Sequence, residues 1–175
     1  RWRRWLELCR QTDQAALAGH SLGSLVALES AARHANRVRG IAMVGTTAPM
    51  PVSDAILDAA RANDHAAFDM LTQWGYSKRH LYGGNRNAGI WMVGNTLRLF
   101  ERSGPGVLYN DMNACNNYTT GLERAPEVSC KTVMILGEED RLTPPRGTGA
   151  LQQALDNLQV VVLPGAGHTI MVEEP

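Results

Sequence analysis

The sequence is poor in cysteine, in charge of either sign in excess and in long apolar runs, and each shortage excludes something. Its 175 residues contain three cysteines, Cys9, Cys115 and Cys130, far apart, with no C-x-x-C pair. That pattern excludes a disulfide framework or a zinc knuckle and fits a reducing, cytoplasmic setting. Seventeen Lys and Arg balance seventeen Asp and Glu, so no global field recruits nucleic acid or an anionic membrane. No apolar run approaches the length that spans a bilayer, and the opening RWRRWLELCR lacks the apolar core of a signal peptide. A soluble protein is expected. No internal repeat or low-complexity tract is present either. What is there is 44% hydrophobic and 19% charged content, enough to bury one sizeable core.

Periodicity organises the chain. Trp2, Trp5, Leu6 and Cys9 recur at i, i+3, i+4 and i+7, which predicts an amphipathic helix with Arg1, Arg3, Arg4 and Arg10 on its solvated face. AALAG (15–19) reads as a strand buried on both faces, and Leu22, Leu25, Val26 and Leu28 as a helix from Ser21 to about Arg33. VRGIAMVG (38–45) is the next strand, so the first two strands form a parallel pair with a helical crossover. From Thr46 to Arg124, helical patterns such as Ile56, Leu57, Ala60 and Phe68, Leu71, Trp74 alternate with Gly-rich breaks, and no strong strand appears. Alternation then resumes with a strand at TVMILG (132–137), a helix at GALQQALDNL (149–158) and a strand at QVVVLPG (159–165). The predicted fold class is α/β, a mostly parallel sheet with flanking helices and an α-helical insertion. The segments are a first core part (1–48), the insertion (49–125) and a second core part (126–175).

The stretch GHSLG (19–23) fits G-x-S-x-G. A serine leaving a strand and entering a helix within one residue sits in a cramped backbone, and glycines two positions to either side remove Cβ atoms that would collide. The free N–H groups of the helix start then face any oxyanion formed there. The competing reading is an ordinary N-cap, a position serine favours. A nucleophilic serine needs a base and an orienting acid. Of the five histidines, His20 is adjacent to Ser21 and its side chain is expected to point away. His34 ends a helix, and His65 and His80 lie in the insertion. His168 follows a strand directly, on the Gly-rich loop of PGAGHTIMVEEP, and that loop can bring it across the carboxyl ends of parallel strands. For the acid, GEEDRLTPP offers Glu138, Glu139 and Asp140 just after a strand. Asp140 precedes His168 by 28 residues, room for one helix and one strand, so the two loops end adjacent strands; Asp140 is the preferred acid.

With GHSLGS, LGEEDRLTPP and PGAGHTIMVEEP in that order, the chain resembles the α/β-hydrolases, over nearly all its length apart from the insertion. The resemblance implies that Ser21 is the nucleophile, His168 the general base and then acid, Asp140 its orienting partner, and the Leu22 N–H one oxyanion donor. It implies acyl transfer through a covalent intermediate, on a small ester-like substrate, with neither metal nor organic cofactor. An insertion after the second strand matches where this family places its cap. The family has further strands before its nucleophile, including a loop with an HG-type signature that gives the second oxyanion N–H, and a helix after the histidine. The chain therefore looks like the C-terminal two-thirds of such an enzyme, with a hydrophobic edge at AALAG that invites aggregation and with little activity on its own.

Within the insertion, Trp74, Trp91 and Met92 are candidates to line a substrate pocket, although aromatic and Met positions at helical spacing are more often packing residues. Arg86, Arg98 and Arg102 are candidate partners for a substrate carboxylate, against the commoner solvated-surface reading. The alternatives to an esterase, lipase or lactonase type are an acyltransferase of the same fold, a C–C bond hydrolase, and a non-catalytic binding module.

Overall fold

The computed structural model describes residues 13–85 and 89–175. The helix expected around Trp2, Trp5, Leu6 and Cys9, and the reading of Arg86, lie outside the described residues. Four strands, β1 (Ala15–His20), β2 (Val38–Val44), β3 (Lys131–Gly137) and β4 (Leu158–Leu163), form one parallel sheet in the order β1-β2-β3-β4. Registers such as Leu17 opposite Ile41, Val44 opposite Ile135 and Gly137 opposite Leu163 bring the carboxyl ends of all four to one rim. Loops that carry chemistry in parallel sheets sit at that rim.

Helix α1 (Leu22–Arg33) returns the chain from β1 to β2 and buries Leu25, Ala27, Leu28 and Ala31. These meet Ile41 and Met43 of β2 and Met134 and Leu136 of β3 in the core. Each Leu so buried contributes about 1.5–3 kcal/mol of transfer free energy. Between β2 and β3 the chain is helical: α2 (Asp54–Arg61), α3 (Ala66–Gly75), α4 (Lys78–Leu81), α5 (Met92–Glu101), α6 (Val107–Asn117) and α7 (Gly121–Arg124). No strand interrupts the described part of this segment, as the absence of period-2 patterning predicts. Its end is tied back to the core where the Tyr118 hydroxyl donates to Glu29 of α1 at 2.6 Å. Short helices α8 (Gly149–Ala154) and α9 (Ile170–Glu173) flank β4. Among the described residues no helix is long and apolar enough to cross a membrane.

Two local expectations are corrected. The helix expected over 149–158 stops at Ala154, and β4 begins at Leu158. Asp156 and Asn157 lie between them, and their side chains compete with the backbone and favour turns over helix. AALAG is not buried on both faces: Ala15, Ala16 and Ala18 are exposed, because β1 stands at the edge of the sheet and pairs only with β2 among the described residues.

Candidate active site

Ser21 stands between the last residue of β1 and the first of α1, at φ 53° and ψ −120°. An L-residue held there costs about 1–3 kcal/mol, a strain that surrounding contacts must sustain. They are visible. The Ser21 N–H extends the β-ladder to Val44 O (2.9 Å), and the Ser21 carbonyl accepts from the backbone and hydroxyl of Ser24 (2.8 and 2.6 Å). The Ser24 hydroxyl, fully buried, also lies 2.6 Å from that of Thr46. A Cβ at Gly19 would fall 1.9 Å from Gly23 O, so glycine is required where α1 turns back over β1. At Gly23 a Cβ would meet nothing within 4 Å. The motif's symmetric steric reading therefore holds at its first glycine only; Gly23 contributes its carbonyl. The N-cap reading of Ser21 fails, since its side chain makes no capping hydrogen bond. As the first helical residue, Leu22 has an N–H outside the intrahelical ladder.

His168 comes to the same rim as the serine from the far side of the sheet. The loop after β4 arches over the ends of β3 and β2: Gly167 O would lie 2.0 Å from a Cβ on Gly137, and the His168 ring packs 3.0 Å from a Cβ position on Gly45. The His168 Nδ1 donates to Asp140 Oδ2 at 2.8 Å, with the Thr143 hydroxyl 3.1 Å away. Asp140 is held in turn by the N–H groups of Leu142 and Thr143 on Oδ1 (both 2.8 Å) and by the Thr143 hydroxyl on Oδ2 (2.7 Å). Burial opposes ionisation of Asp140, but the hydrogen bond and charge of His168, with the Thr143 donors, outweigh it and hold the carboxyl below its ordinary range. Its two neighbours serve elsewhere. Glu138 accepts from Gly165 N at 2.8 Å and Glu139 from Lys78 N at 3.3 Å.

His20, whose side chain is expected to point away from Ser21, turns to the His168 loop and lines the same cleft. Its Nε2 lies 2.9 Å from His168 O and its ring centroid 4.6 Å from that of His168, tilted 51°. Because a carbonyl only accepts, His20 carries its proton on Nε2. Burial, and then the neighbouring His168, lower the His20 pKa to about 4. Sequence reasoning also missed Thr143, Ser24 and Glu173, and only the short spacing of Thr143 from Asp140 gave a signal.

Ser21, Leu22, His20, His168 and Thr143 line a cleft of about 520 Å³ between the rim and the helical segment. No hydrogen bond joins Ser21 Oγ to the His168 ring, although both face this cleft; such contacts tighten when substrate is bound. Most of the wall is apolar, including Trp74, Leu71, Phe100 and Met112. Of the three candidate lining residues, Trp74 is placed there and the others are not. Trp91 is 66% exposed, its ring folded against Gly94 of the helix it precedes, and Met92 is buried with its carbonyl accepting from the Tyr76 hydroxyl. Arg98 is paired with Glu101 on the surface. Among the described residues no group of three or more His, Cys, Asp or Glu is placed to hold a metal ion.

A parallel sheet with a strained serine after one strand and a His–Asp pair on the loops after two others defines a class of α/β architecture. The chain belongs to the α/β-hydrolase fold family, whose model matches residues 3–175. It is similar to a thermophilic esterase, at 26% identity and TM-score 0.76, covering 92% of this chain and 61% of that one. An esterase from Exiguobacterium antarcticum matches at 15% identity and TM-score 0.80, covering 98% of this chain and 66% of that one. An N-acyl homoserine lactone degrading enzyme matches at 18% identity and TM-score 0.74, covering 94% and 64%. The chain thus spans less than two-thirds of the length of these solved structures. No curated protein matches it.

Proposed function

We propose that the protein is a serine hydrolase that cleaves a carboxylic ester or related acyl bond through Ser21, His168 and Asp140. The observation behind this reading is the 2.8 Å bond from Asp140 to His168 Nδ1, which leaves Nε2 as the ring's remaining base on a cleft shared with a strained serine. The similarity to an esterase at 26% identity supports the choice of bond. His168 Nε2 takes the Ser21 proton as Oγ attacks the acyl carbon; the carbonyl oxygen becomes an oxyanion facing the Leu22 N–H. Collapse of this intermediate expels the alcohol, which takes the proton back from His168. Water, deprotonated by the same nitrogen, then attacks the acyl-serine and releases the acid and free Ser21. Helices α2 to α7 act as a cap that presents an apolar wall to the acyl group.

The test is labelling with a fluorophosphonate together with turnover of a panel of p-nitrophenyl esters. Adduct formation on Ser21 and hydrolysis are expected, and both are lost in Ser21→Ala. Labelling that persists in Ser21→Ala sinks the assignment; an added alcohol that outcompetes water would make the enzyme an acyltransferase instead.

A further inference from the structure

The reaction scheme leaves a buried pair of ionisable groups unused. Glu173 and His80 are 1% and 2% exposed, and His80 Nδ1 lies 2.9 Å from Glu173 Oε2 and 2.7 Å from Ser77 Oγ. The carboxyl group has more partners than one imidazole. Its Oε2 also accepts from Ser77 N (3.1 Å) and Gly167 N (2.9 Å), and its Oε1 from Thr169 N (3.1 Å). Gly167 and Thr169 flank His168 on either side. One residue upstream of Tyr76, the Gly75 carbonyl accepts from the N–H groups of both His168 (2.7 Å) and Thr169 (3.1 Å). There is no slack at this seam: a Cβ on Gly167 would lie 2.5 Å from Ser77 N and 2.9 Å from Glu173 Oε1.

The backbone around His168 is therefore fixed to residues 75–80 of the helical segment as well as to the sheet. That same stretch adjoins the cleft, where Trp74 and Gly75 form part of the wall. Well-packed apolar side chains would stabilise such a position as well as a buried polar pair does, so the value of the pair lies in where it holds the loop. Resting on the reading of His168 as the base, we infer that Glu173, seated by His80 and Ser77, is a positioning residue that registers the His168 imidazole against Ser21. It also couples that imidazole to the helices over the cleft: a substrate that presses on Trp74 acts on a segment bonded directly to the His168 backbone.

Glu173→Gln keeps the shape of the side chain and replaces one acceptor oxygen with a group that cannot accept from Ser77 and Gly167. Since an ångström of misplacement costs on the order of 100-fold, kcat on a p-nitrophenyl ester is expected to fall about 10- to 100-fold with KM changed less than about 2-fold. Fluorophosphonate labelling of Ser21 slows in parallel, and the downfield proton resonance of His168 Nδ1–H moves or broadens. If Glu173→Gln does not fold, Ser77→Ala decides, because it removes only the hydroxyl beside His80 and leaves the Ser77 N–H on Glu173; a smaller fall in kcat with the same resonance displaced is expected. A folded variant with parental kcat and an unmoved resonance overturns the inference. Ser21→Ala, run alongside, separates the two claims: if it retains turnover, the reading of the site fails, and if it is silent while Glu173→Gln turns over at the parental rate, only the positioning role fails.

Discussion

His20 and His168 lie with ring centroids 4.6 Å apart, and two imidazolium ions at that distance would repel each other in a partly buried site. The fold avoids this by keeping His20 neutral. Its pKa is lowered to about 4 from 6.5, so its contribution to stability is complete above about pH 6.5 and is lost as the pH falls toward 4. Asp140, held below its ordinary range, adds a second loss at lower pH, beginning below its unfolded value of 3.8. Thermal melts are therefore expected to show Tm falling from pH 6.5 to 4 and further below, and His20→Gln should flatten the first decline. A Tm that is level between pH 6.5 and 4 in the parent contradicts this account. Asp140→Asn is expected to keep the fold and lower kcat by about 10⁴-fold, since the amide stabilises no imidazolium and permits the wrong tautomer; single-turnover kinetics measures it.

At the scale of elements, the turn from β1 into α1 was legible because its chemistry and its geometry are written in the same five residues. Gly19, Ser21 and the apolar spacing that follows are local, and so is the strand preceding Asp140. Gly19→Ala is expected to destabilise the protein by about 1–3 kcal/mol through overpacking and to suppress Ser21 labelling, because its Cβ would sit 1.9 Å from Gly23 O. Gly23→Ala, with open space, serves as the control and should label like the parent. Asp140 and His168 were legible as a pair because each follows a strand within a recognisable motif; what could not be read are long-range contacts that no motif marks. The His20 bond to His168 joins residues 148 positions apart, and Glu173 meets Ser77 across 96. No periodicity encodes such meetings. Trp91 and Met92 show the same limit from the other side: their residue types suit a pocket wall, but the ring of Trp91 folds onto Gly94 of the helix it precedes and Met92 is buried away from the cleft.

At the scale of the molecule, the two outer strands among the described residues carry exposed apolar side chains. Ala15, Ala16 and Ala18 of β1 are exposed, as are Val160 and Val162 of β4 at 37% and 47%. An open strand edge of this kind templates pairing with another chain. Concentration-dependent self-association is expected in light scattering, and Ala16→Lys, which places a charge on the edge away from the cleft, should reduce it without altering labelling of Ser21. Equal association by parent and variant would place the contact elsewhere.

The loop that delivers His168 starts at β4 and crosses the ends of β3 and β2, so that the imidazole packs at Gly45 and against the ring of His20, the last residue of β1. Its reach is set by chain length, and one residue more or fewer changes that reach by about 3.3 Å. Inserting or deleting one residue between Leu163 and His168 is therefore expected to carry the imidazole away from Asp140 and to suppress labelling of Ser21.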